Sequence, residues 1–283
     1  MIKKLMSSFL QISQNDAEKL QQNDPWFYSH YVYAANVVTS KLSKYIDLGY
    51  SQLFDFGCGD GIMALGVSRS VVGGVTGFDV TEAFKDLPQK ALETLHLADY
   101  PSTLGFVQVD PSKPLPFPDN HFDGGYSWSV FEHVAMIDGT LAEVYRILKP
   151  KGVFFLQIEP FYASPFGSHL QRLIDEPWAH LLTDEASYLR RVKASKDTVP
   201  DTEKDIMYRE NEFENVKNYL IGEYKTLNKL TVNQLLAQIL KAGFHVMEMR
   251  TTQVNQLAIP PVLLNNYSEY DLRTNEIQLV ISK

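Results

Sequence analysis

Leu53-Phe54-Asp55-Phe56-Gly57-Cys58-Gly59-Asp60-Gly61 is an apolar strand that runs straight into a loop in which glycines alternate with small residues. Glycine adopts positive φ and has no β-carbon, so such a loop turns sharply off the strand and leaves bare amides for a ligand. Asp55 falls at the strand's carboxyl end, where a carboxylate holds the loop or accepts from an ammonium, and where a pyrophosphate would be repelled. One register later, Gly59-x-Gly61-x-x-Ala64 also satisfies the looser dinucleotide fingerprint, with Asp79 about 20 residues beyond its start. The loop therefore predicts a nucleotide-like cofactor without choosing which.

On both sides of the loop the chain alternates strand and helix. Leu53–Phe56, Val75–Phe78, Leu104–Val109 and Phe122–Ser127 read as strands, with helices from about Gly61 to Ser70 and near Glu82 to Leu97. Leu141, Val144, Tyr145 and Leu148 mark one face of a helix that stops at Lys149-Pro150-Lys151-Gly152, and the apolar run Val153–Ile158 suits a central buried strand. That alternation predicts a doubly wound parallel sheet. It is interrupted over 160–228, which is rich in charge, aromatics and proline and reads as an inserted cap. It resumes at Thr231, where Thr231 and Gln234 form a capping box ahead of Leu235, Leu236, Ile239 and Leu240, and Gly243 ends the helix. Strands near His245–Thr251 and Glu276–Ile281 close the chain. Residues 1–50 read as a mostly helical lead-in, with Ala35, Val38, Leu42 and Tyr45 at helical spacing and an aromatic group, Trp26, Phe27, Tyr28, Tyr31 and Tyr33, at its opening; it serves as packing or as a lid. The expected units are 1–50, a cofactor domain from 51–159 and 229–283, and a cap over 160–228.

With 283 residues, 45% hydrophobic and 21% charged, the chain is long enough to bury a large core. Its net charge of -8 repels a phosphate backbone, so no nucleic-acid partner is expected. The run Arg190, Arg191, Lys193 and Lys196, followed by Asp197, Asp201 and Glu203, reads as a solvated helix face. The first residues carry only short apolar patches, so no signal core or membrane partner is expected and the predicted location is cytoplasmic. Cys58 is the one cysteine, which excludes an internal disulfide and a cysteine-rich metal site.

Three further stretches narrow the cofactor. Val107-Gln108-Val109-Asp110 ends a strand in an acid, Leu115-Pro116-Phe117-Pro118-Asp119-Asn120-His121-Phe122-Asp123 follows, and Ser127-Trp128-Ser129-Val130-Phe131-Glu132-His133-Val134 leads to the helix ending in Leu148-Lys149-Pro150-Lys151-Gly152. Together with the glycine loop, this series resembles the small-molecule class I S-adenosylmethionine (SAM)-dependent methyltransferases over Gln52–Ile158, and more loosely over Thr231–Lys283. The resemblance implies an α/β, Rossmann-like, seven-stranded, mostly parallel sheet with helices on both faces and an antiparallel last strand. It also implies SAM as cofactor and S-adenosylhomocysteine as product. Under it, Asp55, Gly57, Cys58, Gly59 and Gly61 lie along the methionine portion, Asp79 with Val80 binds ribose, and Asp110 with Pro111 meets adenine. Ser127 and Trp128 flank the donor methyl.

Methyl transfer from a sulfonium is an in-line displacement, so alignment matters more than acid or base strength. A hydroxyl acceptor needs a base, and the candidates are His133, after the fourth strand, and His169, after the fifth, with Glu159 placed to orient a histidine. His180 is a weaker candidate, and Trp178 is a ring platform or a packing residue. No spacing of His, Asp and Glu resembles a metal site, so metal-independent transfer is expected. The reading is methyl transfer to a small organic acceptor, at a hydroxyl of a saccharide or secondary metabolite. The alternatives are an NAD(P)-dependent oxidoreductase on the same sheet and a non-catalytic scaffold subunit; the residues give no oligomeric state.

Overall fold

The apolar runs become seven strands in the computed structural model, which describes residues 12–97, 101–196 and 213–283. They are β1 Gln52–Phe56, β2 Gly74–Asp79, β3 Leu104–Gln108, β4 Phe122–Trp128, β5 Leu148–Ile158, β6 His245–Gln253 and β7 Thr274–Ser282. All join one sheet in the order β3-β2-β1-β4-β5-β7-β6. β1 to β5 pair in parallel, while β7 runs antiparallel to both β5 and β6. From β1 the chain steps outward to β2 and β3 and then returns to place β4 on β1's other side. That reversal opens a crevice at the carboxyl ends of β1 and β4, where open sheets of this kind bind ligands.

Helices cover both faces because alternate strand residues bury on opposite sides. Phe54, Phe154, Leu156 and Leu279 pack against α6 Ile137–Ile147 and α10 Val232–Lys241 through Leu141, Val144, Leu235 and Ile239. Leu53, Phe155 and Val280 pack against α3 Ala35–Leu42 and α4 Ile62–Ser68 through Val38, Leu42, Ala64 and Val67. Each such buried aliphatic or aromatic side chain contributes about 1.5–3 kcal/mol, so the two layers hold the sheet that carries the site.

The lead-in is helical where described: α1 Gln14–Asn23, capped by Ser13, then α2 Pro25–Tyr28, capped by Asp24, and a π-helical turn Ser29–Ala34 that runs into α3. Its first 11 residues lie outside the described segments. The inserted segment carries α7 Ala179–Leu182, α8 Glu185–Ala194 and α9 Phe213–Thr226. It has an apolar cluster of its own around Leu170, Tyr188, Val192, Ile221 and Tyr224. Trp178 is buried against Leu263 and Leu272 and donates its indole N–H to the Leu272 carbonyl at 3.3 Å, so it is a packing residue. Arg190, Arg191 and Lys193 lie exposed on α8, and Arg191 pairs with Glu176. The acids Asp197, Asp201 and Glu203 lie outside the described residues.

Two boundaries differ from expectation. Leu148 does not end a helix but starts β5, pairing with Phe122, because Pro150 lacks the amide a helix would need there. The helix expected over 82–97 is a 3-10 turn, Ala83–Asp86, followed by α5 Leu87–Leu95 with Pro88 in its first turn. The capping box at Thr231 and Gln234 is present in both directions. Among the described residues, no helix is long and apolar enough to cross a membrane.

Candidate functional site

The glycine loop leaves β1 held to the end of β2. The Gly57 and Cys58 amides both donate to the Phe78 carbonyl, at 2.9 and 3.2 Å. Gly57, Gly59 and Gly61 have φ of 75, 52 and 76°, and their surroundings differ. A β-carbon on Gly57 would meet Val130 at 2.5 Å, whereas one on Gly59 would meet nothing within 4 Å. The loop is therefore closed on its β4 side and open above Gly59. Cys58 is buried, and burial, reinforced by Asp55 and Asp79, pushes its thiol well up, so it remains a protonated packing group.

Asp79, closing β2, faces this loop. One carboxylate oxygen accepts from the Gly59 amide at 2.9 Å, and the other accepts from the Thr81 amide and hydroxyl at 2.8 Å each. A carboxylate offers about four acceptor directions, so one remains for a ligand hydroxyl. Val80 beside it is exposed. Asp110, two residues past β3, is exposed and accepts from the Ser112 hydroxyl and amide at 2.6 and 2.9 Å, with Lys113 at 3.0 Å. The Ser112 hydroxyl above all holds its carboxyl low, at about 2. Pro111 follows it, also exposed.

Asp55 lies beneath the loop at 0% exposure, beside the Tyr126 hydroxyl, and neither its oxygens nor that hydroxyl has a hydrogen-bond partner of standard geometry. Burial pushes its carboxyl well above the usual range; the Tyr126 hydroxyl opposes this, and Asp79 and Asp60 add to it. Orphaned acid oxygens under a loop that is open above Gly59 fit a cofactor whose amino-acid end is cationic, and do not fit a pyrophosphate. By contrast, Asp123 takes the Gln52 amide at 2.9 Å and the Lys149 ammonium at 2.7 Å at the amino ends of β1 and β4, which is a structural role.

The lead-in reaches this site twice. Trp26 donates its indole N–H to Asp60 of the glycine loop at 3.0 Å, and the Tyr33 ring meets Trp128 edge-on at 6.3 Å. Both rings are open to solvent, 61% and 55% exposed, while Phe27 and Tyr31 beside them are buried. Tyr33 lies in the π-helical turn Ser29–Ala34, and such turns are frequent at functional sites.

Ser127 is buried and donates to the Phe56 carbonyl at 3.0 Å, tying β4 to β1. Just beyond, Gln157, buried in β5, accepts from the Ser129 amide and hydroxyl at 3.1 and 3.0 Å. The Gln157 amide reaches toward Glu159 and Glu276 at 3.5 and 3.3 Å. Glu159 also accepts from Asn275 at 3.0 Å, so it orients no histidine, contrary to the sequence expectation. The reason is that β7 brings Asn275 and Glu276 alongside the end of β5, a pairing invisible along the chain.

His133 and His169 do come together, with ring centroids 5.4 Å apart. His133 lies in a 3-10 turn, and its Nδ1 bonds the Thr226 hydroxyl at 2.7 Å, with Glu223 3.7 Å from Nε2. Burial lowers its pKa, against Glu223. His169 bonds the Pro160 carbonyl at 3.2 Å, and burial, then His133, lowers it to about 4. His180 bonds the Tyr162 carbonyl at 2.7 Å and is lowered to about 4, mainly by burial. The His169 and His180 rings are neutral at pH 7. Among the described residues, no group of three His, Cys, Asp or Glu could hold a metal.

Gln157 and Glu276 were not among the site residues expected from the sequence. Only Gln157, a polar residue closing an apolar run, carried a local signal.

Residues 54–156 match the family model described as "Methyltransferase domain". Over 104 residues the chain is 35% identical to a demethylmenaquinone methyltransferase of Symbiobacterium thermophilum, covering 36% of this chain and 40% of that one. Over 103 residues it is 35% identical to a sterol 24-C-methyltransferase of Gibberella zeae, covering 36% of this chain and 26% of that one. The matched segment thus spans two fifths or less of either relative. Among solved structures, a SAM-dependent methyltransferase of Methanosarcina mazei superposes with a TM-score of 0.51 at 14% identity, covering 86% of this chain and 96% of that one. The cyclase SpnF gives 0.51 at 18% identity, covering 89% and 81%. These likenesses show the fold. With the family match, they define residues 54–156 as a class I methyltransferase domain, of the kind whose cofactor is SAM.

Proposed function

We propose that this chain transfers a methyl group from SAM to a small organic acceptor. The observation that carries the reading is the glycine loop, fastened to Asp79 through the Gly59 amide, open above Gly59 and underlain by the orphaned acid Asp55. Bound SAM supplies an activated methyl group on a sulfonium, so the protein's work is alignment and exclusion of water. Asp55, Gly57, Cys58, Gly59 and Gly61 take the amino-acid end, Asp79 and Val80 the ribose, and Asp110 and Pro111 the adenine. Ser127 and Trp128 flank the methyl. The lead-in is a lid closed by Trp26 on Asp60 and by Tyr33 on Trp128, and residues 160–228 are the acceptor cap.

A hydroxyl-bearing acceptor, such as a saccharide or secondary metabolite, is favoured by the polar groups beside Trp128: Ser129, Gln157, Glu159, Asn275 and Glu276. His169 and His133 are the candidate bases, and the low basicity of His169 makes it a weak one. Carbon transfer is the second reading, favoured by the activity printed for the sterol-methylating relative.

Calorimetry with SAM, S-adenosylhomocysteine and NADH on the wild-type chain and on Asp79→Ala tests the donor. Saturable SAM binding that weakens in the variant is expected, followed by a positive acceptor screen with radiolabelled methyl. Tight NADH binding without SAM binding would establish an oxidoreductase; binding of neither would leave a scaffold.

A further inference from the structure

Glu132 is the buried ionisable group that the proposed chemistry does not use. It is 5% exposed, and neither oxygen has a hydrogen-bond partner among the described residues. It lines a small, partly open cavity with Phe131, Ile158, Phe161, Tyr162, Leu227 and Lys229. One wall is the turn after β4, and the other is the irregular segment Leu227–Leu230 by which the insertion returns. The two walls are fastened by Asn228, whose backbone N–H donates to the Glu132 carbonyl at 2.8 Å. The Asn228 side chain donates to the Phe131 and Val134 carbonyls at 2.6 and 3.0 Å. This seam is where the insertion rejoins the sheet domain, and the acid is sealed inside it.

We propose that Glu132 makes this seam a pH-dependent latch, closed over the protonated carboxyl and loosened when the carboxyl ionises. The charged and titratable groups around it supply no stabilising cation. Glu159, at the end of β5, and Glu223, on α9, are both acidic. His133 is committed to Thr226 and Glu223 and meets His169 edge-on. Lys229, on the returning segment, lines the same cavity, but its ammonium is bound to Glu185 and lies over the Tyr162 and Tyr224 rings. α10 contributes the apolar Leu235. Consistent with this, burial first, with Glu159 and Glu223 adding and its own backbone amide opposing, pushes the carboxyl up to about 8.

The sign follows from linkage. Closed, the acid keeps its proton up to about pH 8; open to water, it loses it near its ordinary value of 4.5. Closure is undisturbed below about 4.5, weakens about tenfold per pH unit between the two values, and is constant above.

The test is hydrogen exchange at the Asn228 amide in the full chain, corrected for intrinsic rates, at pH 5, 6.5 and 8. Wild type should open about tenfold more readily with each pH unit. Glu132→Gln, which cannot ionise, should stay flat and be the better protected at pH 8. Parallel profiles in the two proteins would overturn the latch, as would a slope abolished by His133→Gln but retained in Glu132→Gln. Should Glu132→Gln not fold, a carbon-13 titration of the wild-type Glu132 carboxyl decides: a midpoint near 8 supports the latch, and one near 4.5 overturns it.

Discussion

The glycine-loop region and the inserted segment satisfy their polar groups in different ways. Around the loop, carboxylates are held by amides and hydroxyls close in sequence: Asp79 by Thr81, Asp110 by Ser112, and Asp60 by the Ile62 amide. In the insertion, the partners lie far apart. Tyr188 donates to Ser168, His180 bonds the Tyr162 carbonyl, and buried Lys217 donates to the Lys193 and Ser195 carbonyls at the end of α8. A lysine serving the carbonyl end of another helix complements that helix's dipole, and it can do so only once both helices have docked. The loop region thus rests on turns closed within two residues as well as on longer ties, Gly59 to Asp79 and Trp26 to Asp60, while the buried polar groups of the insertion rest on its own tertiary packing.

The sharpest way to break this contrast is Leu170→Ala in the insertion's cluster. It should cost about 2–5 kcal/mol, yet leave SAM binding within a few-fold, as read by thermal unfolding and calorimetry. Loss of SAM binding would show that the two regions are one cooperative unit.

Next come the two glycines. Gly57→Ala adds a left-handed strain of about 1–2 kcal/mol to a clash with Val130 worth about 1–3 kcal/mol, so urea midpoints should fall substantially. Gly59→Ala carries only the strain, because its β-carbon meets open space. It should lose at least about tenfold in SAM affinity while losing only the strain's about 1–2 kcal/mol of stability. Unchanged affinity in Gly59→Ala would remove the cofactor from that space.

Acid should loosen the insertion before the loop. His169 and His180 are both lowered to about 4 from 6.5, so the stability they give is complete above about pH 6.5 and is lost as pH falls toward 4. Exchange protection around Leu170 should fall across that window, and the fall should be smaller in His169→Gln. The direction is opposite to that expected for Glu132. The smallest effect is expected from Asp110→Ala. Its carboxylate is exposed and already bound by Ser112 and Lys113, so SAM affinity should weaken by no more than about fivefold.

The sheet and the cofactor loop were legible because their signals are periodic or contiguous. Strand and helix alternation, the capping box at Thr231 and the glycine loop all act over a few residues. The start of β5 at Leu148 escaped notice because Pro150 marks only where the helix must stop, and the pairing with Phe122 that makes Leu148 a strand residue is not visible along the chain. On the acceptor side, His133 and His169 were found as residue types, but their partners were not. Thr226 lies 93 residues from His133, and the Asn275 that holds Glu159 is 116 residues away.

By itself, then, the amino-acid sequence determined the parallel sheet, its crevice and the carboxylates at its strand ends, because hydrophobic period and glycine stereochemistry are properties of neighbours along the chain. Only the tertiary structure decided which of those groups are free. It buried Asp55 and Glu132 without partners, spent Glu159 on Asn275, and set Trp26 against Asp60. Burial and hydrogen-bond partnership belong to what the folded chain brings near, and a one-dimensional pattern does not carry them.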